Sequence, residues 1–289
     1  MNTISKPFSQ PCEQDVPSHT TAHTALRLDT AQSLGAEIFP DTLTLDKLFQ
    51  ITSTYWRSLH TNIEEIYHSV ETSGRWQKQL AWEDKLAFFE TGRFYVDKVI
   101  DKYTQLTGLD VKDAVCMDFG CGAGRLAVST LEKCKHLYGV DFSENHLNET
   151  CNNVAIKGKA HQFTPVMLNN LGDLAKIPPF DLGYSFITLQ HNTPPVIAAI
   201  VARLLTLLKP GGCAFLHIPL ALPDYKFTVA DYLSDEKSGK NMEIHVLPRN
   251  DLNDIADACG CDIVTSENIG GVDIAYSENL VFRKRVGTS

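Results

Sequence analysis

The chain has 289 residues, with 35 acidic and 26 basic side chains and a formal net charge of −9. This length suits one α/β domain with an extension. The acidic balance argues against broad contact with nucleic acid or an anionic membrane, because such contact needs clustered Lys and Arg. A small or neutral partner is therefore favoured.

The N-terminal region differs in composition from the rest of the chain. Residues 1–40 are rich in Ser, Thr, Pro, Asn and Gln and lack periodicity, which predicts a flexible arm. No apolar run at the N-terminus resembles a signal peptide. The most apolar stretch, 196–208, contains Arg203 and is too short to span a bilayer. We expect a cytoplasmic protein with no membrane contact.

The eight cysteines are scattered along the chain, several of them inside apolar runs. This distribution is typical of reduced core thiols and not of a disulfide framework. Cys259 and Cys261 form a C-x-C pair without the further ligands that a tetrahedral metal site needs. We therefore expect no metal.

Apolar residues recur at helical spacing over 45–70 and again over 86–106, which predicts a helical cover over residues 41–110. The main domain, 111–289, then alternates strands and helices, as in a parallel sheet. The predicted strands are 114–118, 136–140, 163–168, 181–188 and 213–218, and the predicted helices between them are 124–134, 144–155 and 195–208.

Two predicted helices have recognisable end signals. Ser143 can cap the helix at 144–155, and Thr193 can cap the helix that Pro194 and Pro195 begin. The sequence KPGG, residues 209–212, ends that last helix and returns the chain to the sheet.

The C-terminal part breaks the alternation. Residues 219–247 form a polar and aromatic insertion, and 250–259 predict a helix. The strands 262–266 and 279–283 follow with no helix between them, so we expect an antiparallel pair.

The first strand ends in the sequence DFGCGAGR, which places Asp118 before three alternating glycines. Gly120, Gly122 and Gly124 allow a sharp turn from strand into helix and let a ligand approach the backbone N–H groups. This pattern predicts a ligand site at the end of the strand.

Five segments in order resemble the class I S-adenosylmethionine-dependent methyltransferases. They are DFGCGAGR (118–125), LYGVDFS (137–143), FDLGYSFITLQHN (180–192), LLKPGG (207–212) and the terminal strand pair. A nicotinamide dehydrogenase is the competing interpretation, but its third glycine would stand one residue later. Asp118 would also repel a pyrophosphate, whereas S-adenosylmethionine carries a cationic amino group and a sulfonium. The resemblance is therefore to the methyl-donor family.

The resemblance implies a Rossmann-like α/β fold with a seven-stranded sheet in the order 3-2-1-4-5-7-6, mostly parallel, with its last strand antiparallel. Helices would cover both faces, and the N-terminal helices would extend the domain. It also implies that Asp141 accepts hydrogen bonds from the donor ribose, that Phe142 packs on the adenine, and that an Asn or Asp after the third strand binds the adenine amino group. Spacing favours Asn170 for the last role over Asn169 and Asp173, although Asn169 and Asn170 are also good turn formers in any loop. The implied cofactor-binding set is Asp118, Gly120, Cys121, Gly122, Asp141, Phe142, Asn170 and Gln190.

Histidines near the expected sulfonium are candidates for proton transfer. His191 follows the fourth strand and could act as a general base, although it could equally serve only in packing. His245 and Tyr225 in the insertion are candidate substrate contacts, and Phe227 and Tyr232 could line the same pocket or bury the insertion. His217, within a strand, is typical of a core histidine.

Two arginines could bind the donor carboxylate. Arg93 lies before the first strand and Arg125 follows the glycines, and each could equally be a structural side chain.

We expect transfer of a methyl group from S-adenosylmethionine to an oxygen or nitrogen of a small molecule, with S-adenosylhomocysteine as the product. Two alternatives remain open. One is a methyltransferase that acts on a protein or a carrier-bound substrate, and the other is a protein that binds the donor without catalysis.

Overall fold

The computed structural model describes residues 36–58, 63–70, 74–76, 80–268 and 276–287. The described residues all belong to one compact unit, Ser33–Ser289. The arm predicted over residues 1–40 thus falls almost wholly outside the described residues. The predicted helical cover and main domain fall largely within them.

One sheet of seven strands runs in the order β3-β2-β1-β4-β5-β7-β6. The strands are β1 (Val115–Phe119), β2 (His136–Asp141), β3 (Phe163–Met167), β4 (Phe180–Ser185), β5 (Leu208–Ala221), β6 (Cys261–Asn268) and β7 (Tyr276–Lys284). The first five strands pair in parallel, and β7 is antiparallel to both β5 and β6. The predicted Rossmann-like sheet and its strand order are confirmed.

The described helices lie on both faces of this sheet. They are α1 (Thr42–Ser58), α2 (Ile63–Val70), α3 (Trp82–Thr107), α4 (Ala127–Leu131), α5 (Glu144–Ile156), α6 (Pro194–Leu207), α7 (Val229–Ser234) and α8 (Arg249–Ala258). Apolar residues of α1, α6 and α8 form a core with one face, and those of α2, α3 and α4 form a second core with the other. Burial of these two cores supplies the main driving force for the fold.

Several elements differ in length from the sequence prediction for a local reason. The helix predicted at 124–134 is reduced to Ala127–Leu131, because Gly124 has φ +85° and cannot join a right-handed helix. The strand predicted at 181–188 ends at Ser185, two residues before Ile187 with φ +55°. The helical stretch predicted at 45–70 consists of α1 and α2, and the insertion contains the unpredicted helix α7.

The helix caps agree with the prediction in one of two cases. The Ser143 hydroxyl accepts a hydrogen bond from the backbone N–H of His146 and caps α5. Thr193 occupies the N-cap position of α6, but its side chain makes no capping hydrogen bond. The two prolines that follow it carry no N–H, so α6 has fewer donors to cap.

The register of the parallel strands brings the candidate site residues to one edge of the sheet. Asp118 lies opposite Gly139 of β2 and Tyr184 of β4, and Asp141 lies opposite Met167 of β3. The carboxyl ends of β1, β2 and β4 therefore meet at one edge of the sheet, where open α/β folds bind ligands.

Candidate active site

The glycine turn after β1 is held by its own hydrogen bonds. The N–H groups of Gly120 and Cys121 both donate to the Val140 carbonyl, at 2.8 and 3.1 Å. Gly122 donates to Asp141 Oδ2 at 2.9 Å, and Gly124 donates to the Cys121 carbonyl at 2.9 Å. These four donors are used inside the protein, so the turn is poorly suited to cradle a pyrophosphate, which binds through free N–H groups.

Glycine is required in this turn for two reasons. Gly120 and Gly122 have φ of +77° and +53°, in the left-handed region that side chains disfavour. A Cβ atom at Gly120 would lie 2.2 Å from Cγ2 of Thr188, and one at Gly122 would lie 2.6 Å from Cγ2 of Val70. The turn is thus packed tightly between the loop after β4 and helix α2.

Asp118 lies beneath this turn as a buried carboxyl group. Its side chain is 4% exposed, and Oδ2 has no hydrogen-bond partner within the described part of the chain. Burial raises the pKa of Asp118 to about 8, with a further rise from Asp141 and an opposing effect of Arg125 and Tyr184. A buried carboxylate oxygen without a partner is complementary to a positively charged ligand group.

Asp141 at the end of β2 differs from Asp118, because its surroundings favour the ionised carboxylate. Oδ2 accepts from Gly122 N and Oδ1 accepts from Ser143 N, both at 2.9 Å, and His146 Nδ1 lies 3.7 Å from Oδ1. Burial would raise the pKa of Asp141, but its hydrogen bonds and the neighbouring His146 outweigh burial and lower it. Asp141 is therefore ionised at neutral pH. With its side chain 12% exposed, it has acceptor capacity left for a ligand hydroxyl.

Helix α1 crosses the carboxyl ends of β2 and β3. Arg57 donates to the carbonyls of Phe142 and Leu168, at 3.0 and 2.8 Å, and Gln50 donates to the carbonyl of Asn169 at 2.8 Å. The Phe142 ring packs edge-on against Phe49 of α1 at 5.2 Å. The sequence prediction missed these contacts, because Arg57 carries no motif that distinguishes it from a surface arginine.

The turn after β3 is a capped helical turn. Asp173 Oδ2 accepts from the N–H groups of Asn169 and Asn170, and Asn170 is the N-cap of the 3-10 helix Leu171–Lys176. The hydrogen bond from Lys176, then those of the backbone, lower the pKa of Asp173. All three residues therefore have a local structural role. The adenine contact assigned to Asn170 stays a prediction.

His191 follows β4 and lies between α1 and the insertion. Its Nδ1 lies 2.9 Å from the Glu243 carbonyl, its Nε2 lies 3.3 Å from Gln190 Nε2, and its ring is 5.0 Å from that of Trp56. A carbonyl oxygen only accepts, so Nδ1 carries the proton and Nε2 keeps its lone pair. Burial lowers the pKa of His191, which favours the neutral ring.

The insertion places a polar cluster next to His191. Glu243 Oε2 accepts from the Tyr232 hydroxyl at 2.8 Å and from His245 Nε2 at 3.1 Å. His245 Nδ1 in turn accepts from the Tyr225 hydroxyl at 2.8 Å. The backbone N–H of His245 donates to the Gln190 carbonyl at 2.8 Å. Burial raises the pKa of Tyr225. The predicted His245 and Tyr225 are thus brought together beside Gln190 and His191.

Glu243 links this cluster, although the sequence prediction did not name it. Burial would raise the pKa of Glu243, but the hydrogen bonds from His245, the Gly239 N–H and Tyr232 lower it. Its spacing of two residues from His245 is the signal that could have found it, because alternate residues of an extended segment share a side.

The two predicted arginines lie in different surroundings. Arg93 pairs with Glu90 and Glu132, at 3.0 and 2.9 Å, on a surface where its side chain is 36% exposed. Arg125 is buried, with its guanidinium 5.2 Å from the Tyr95 ring centroid, and it interacts electrostatically with Asp118. Arg125 is therefore the better placed of the two to contact a ligand at the glycine turn.

Two negative findings apply to the described residues alone. No cluster of three His, Cys, Asp or Glu side chains among them could hold a metal ion. Within the same residues, no helix combines the length and the apolar character needed to cross a bilayer.

Comparison with known proteins relates part of this chain to methyltransferases. Residues 116–212, from β1 into β5, match the family model described as "Methyltransferase domain". The resemblance to the class I S-adenosylmethionine-dependent methyltransferases is confirmed by this match together with the strand order.

Two curated relatives match part of this chain. The chain is 30% identical over 139 residues to a "Ubiquinone biosynthesis O-methyltransferase" of Paraburkholderia xenovorans, a match that covers 47% of this chain and 56% of the relative. It is 31% identical over 108 residues to a "Ribosomal protein L11 methyltransferase" of Haemophilus ducreyi, covering 37% of this chain and 34% of the relative. The chain thus spans between about a third and just over half the length of these relatives.

A solved structure supports the fold over a longer part of the chain. Magnesium protoporphyrin IX methyltransferase from Synechocystis PCC 6803, crystallised with bound SAH, superimposes with a TM-score of 0.56 at 17% identity. The match covers 81% of this chain and 99% of that one. At this identity the likeness extends to the fold alone.

Proposed function

We propose that this protein transfers a methyl group from S-adenosylmethionine to an oxygen or nitrogen atom of a small molecule. The observation that carries the proposal is the buried carboxyl oxygen of Asp118, which has no hydrogen-bond partner among the described residues and lies beneath a glycine turn whose own N–H groups are largely used. A cationic ligand satisfies that oxygen, whereas a dinucleotide phosphate does not.

The residues of the sheet edge fit this cofactor. Asp118 and the turn of Gly120, Cys121 and Gly122 would hold its amino-acid end, and ionised Asp141 would accept hydrogen bonds from the two ribose hydroxyls. Phe142 and Asn170 would contact the adenine, and Gln190 would contact the end nearest the insertion. When bound, S-adenosylmethionine supplies a methyl group on a positively charged sulfur, and S-adenosylhomocysteine remains after transfer.

His191 supports proton removal from the acceptor. The Glu243 carbonyl fixes the Nδ1–H tautomer, and burial keeps the ring neutral, so Nε2 can take a proton from an O–H or N–H group. The ring contact with Trp56 limits rotation of the imidazole. In the protein without acceptor, the Gln190 amide N–H faces that lone pair at 3.3 Å, and an acceptor would replace it.

The surroundings of His191 favour a small acceptor. The Trp56 ring packs against His191, and the rings of Tyr225 and Tyr232 pack against His245. Sites lined by aromatic side chains are typical of small-molecule binding. A protein acceptor is the alternative, since one relative is named for a ribosomal protein. The free cysteines of the described chain favour a reducing compartment such as the cytoplasm.

Two measurements test the proposal. Calorimetry with S-adenosylhomocysteine tests cofactor binding directly, and absence of binding would contradict the proposal. Incubation with methyl-labelled S-adenosylmethionine and size-fractionated cell extract then identifies the acceptor. Label in the small-molecule fraction supports a small acceptor, whereas label confined to protein would favour the alternative. Binding without any transfer would indicate a non-catalytic protein.

A further inference from the structure

His217 of β5 and Asn279 of β7 form a polar pair outside the residues used above. They lie directly opposite each other in the antiparallel ladder, so their side chains share one face of the sheet. His217 is 3% exposed. Its Nε2 and the Asn279 Oδ1 are both buried and have no hydrogen-bond partner among the residues that the structure describes. Because buried polar atoms are nearly always hydrogen-bonded, two exceptions side by side indicate that a group from outside the chain, a ligand or a water, pairs with them.

The chemistry of the two atoms is complementary to a hydroxyl group. His217 Nδ1 accepts from the backbone N–H of Ile187 at 3.3 Å, so in the neutral ring Nε2 carries the proton. Burial, and then the neighbouring His191, lower the pKa of His217 to about 4, which keeps the ring neutral at pH 7. The pair therefore offers one N–H donor and one amide oxygen acceptor. A hydroxyl group can accept from the first and donate to the second.

The surface beside this pair is aromatic. Ser185 pairs with Leu216 in the β4–β5 ladder, so the next residue, Phe186, lies beside His217. The Phe186 ring lies 5.7 Å from that of Tyr95 on α3. Ile187 is 48% exposed and Phe94 is 60% exposed, so this apolar surface continues from the buried pair to solvent. Such a surface suits a flat, apolar molecule.

The loop that contacts His217 is also strained. Ile187 has φ +55°, a conformation that a β-branched residue rarely adopts. Residues held in such conformations occur preferentially at ligand sites, where surrounding contacts maintain them. Here the strained residue is the one whose N–H sets the tautomer of His217.

Resting on the methyltransferase function proposed above, we propose that His217 and Asn279 bind a hydroxyl group of the methyl acceptor, and that this acceptor is a hydroxylated aromatic molecule. The ring of the acceptor packs against Phe186 and Ile187. His217 and Asn279 thereby orient the acceptor, while His191 takes the proton from the atom that is methylated.

The test uses 2-naphthol as the probe and 2-methoxynaphthalene as its matched compound without the hydroxyl donor. Binding of each is measured by ligand-observed NMR on the full chain with saturating S-adenosylhomocysteine. His217→Phe removes the N–H donor, Asn279→Leu removes the acceptor oxygen, and His217→Gln retains an N–H donor near the position of Nε2. In the wild type, the ¹⁵N resonance of His217 Nε2 reports contact directly.

We expect 2-naphthol to bind the wild type at least about tenfold more tightly than 2-methoxynaphthalene, and to shift the Nε2 resonance. His217→Phe and Asn279→Leu should each abolish that preference, His217→Gln should restore part of it, and affinity for S-adenosylhomocysteine should not change. If the variants fail to fold, the inference is tested by the two wild-type measurements, the preference for 2-naphthol and the shift of the His217 Nε2 resonance.

Equal binding of the two probes, or an unmoved Nε2 resonance, would overturn the inference and indicate that a buried water alone satisfies the pair. Neither result affects the proposed function, because S-adenosylhomocysteine binding is measured separately. Failure of S-adenosylhomocysteine to bind would instead remove the proposed function, and this inference with it.

Discussion

The proposed function divides the candidate site into a donor side and an acceptor side, which differ in how the chain builds them. The donor side, Asp118 to Asp141, comes from one short stretch in which two adjacent parallel strands end at the same edge. The acceptor side combines Trp56 of α1, His191 after β4 and the insertion residues Glu243 and His245. The donor side is thus a product of local backbone geometry, whereas the acceptor side exists only after distant segments pack together.

The largest expected effect tests the backbone geometry of the donor side. Gly120→Ala should lower the free energy of unfolding by about 3 kcal/mol, because Cβ would clash with Thr188 and the left-handed φ would be strained. Gly158→Ala is the matched control, since Gly158 has φ +70° but nothing within 4 Å of the added atom. That variant should lose only about 1 kcal/mol in urea denaturation. Equal losses would show that contact with Thr188 does not matter.

The acceptor side is tested by His191→Ala. Turnover with the identified acceptor should fall about a hundredfold, because the proton acceptor is removed, while affinity for S-adenosylhomocysteine should hold. His136→Ala, a change at the start of β2 and away from the site edge, should leave both quantities near the wild-type values. Unchanged turnover in His191→Ala would leave His191 with a packing role only.

Asp141 tests the donor side through ligand affinity. Asp141→Ala should weaken S-adenosylhomocysteine binding more than tenfold in calorimetry, because charge-assisted hydrogen bonds to the ribose are lost. Asp262→Ala removes an exposed carboxylate on β6 that pairs with Arg285, and it serves as the control. Wild-type affinity in Asp141→Ala would contradict the ribose assignment.

The smallest effect concerns the pH dependence of binding. With its pKa raised to about 8, Asp118 is mostly protonated at pH 6 and gains charge as the pH rises. The cationic amino group of S-adenosylhomocysteine prefers the ionised form of Asp118, so affinity for this ligand should rise about fivefold between pH 6 and pH 8. In the ligand-free protein the raised pKa of Asp118 also makes the free energy of unfolding fall as the pH rises towards 8. Asp118→Asn should remove the slope of affinity with pH, and an unchanged slope would assign it to another group.

The sequence by itself determined the sheet and the donor side. Strand and helix periodicities predicted the elements, and the resemblance carried by the five motifs implied the strand order. Asp118, the glycines and Asp141 meet because parallel strands end in register. These are local signals, since each depends on a few consecutive residues.

Only the tertiary structure decided how the acceptor side is assembled and how α1 packs beside the donor side. Arg57, Trp56, Glu243 and Asn279 have no motif, and they become candidates through contacts with residues far away in the chain, such as those of Arg57 with Phe142 and of Glu243 with His191. Burial and electrostatics also depend on packing, which is why Asp118 and Asp141, two similar aspartates in the sequence, have pKa values shifted in opposite directions.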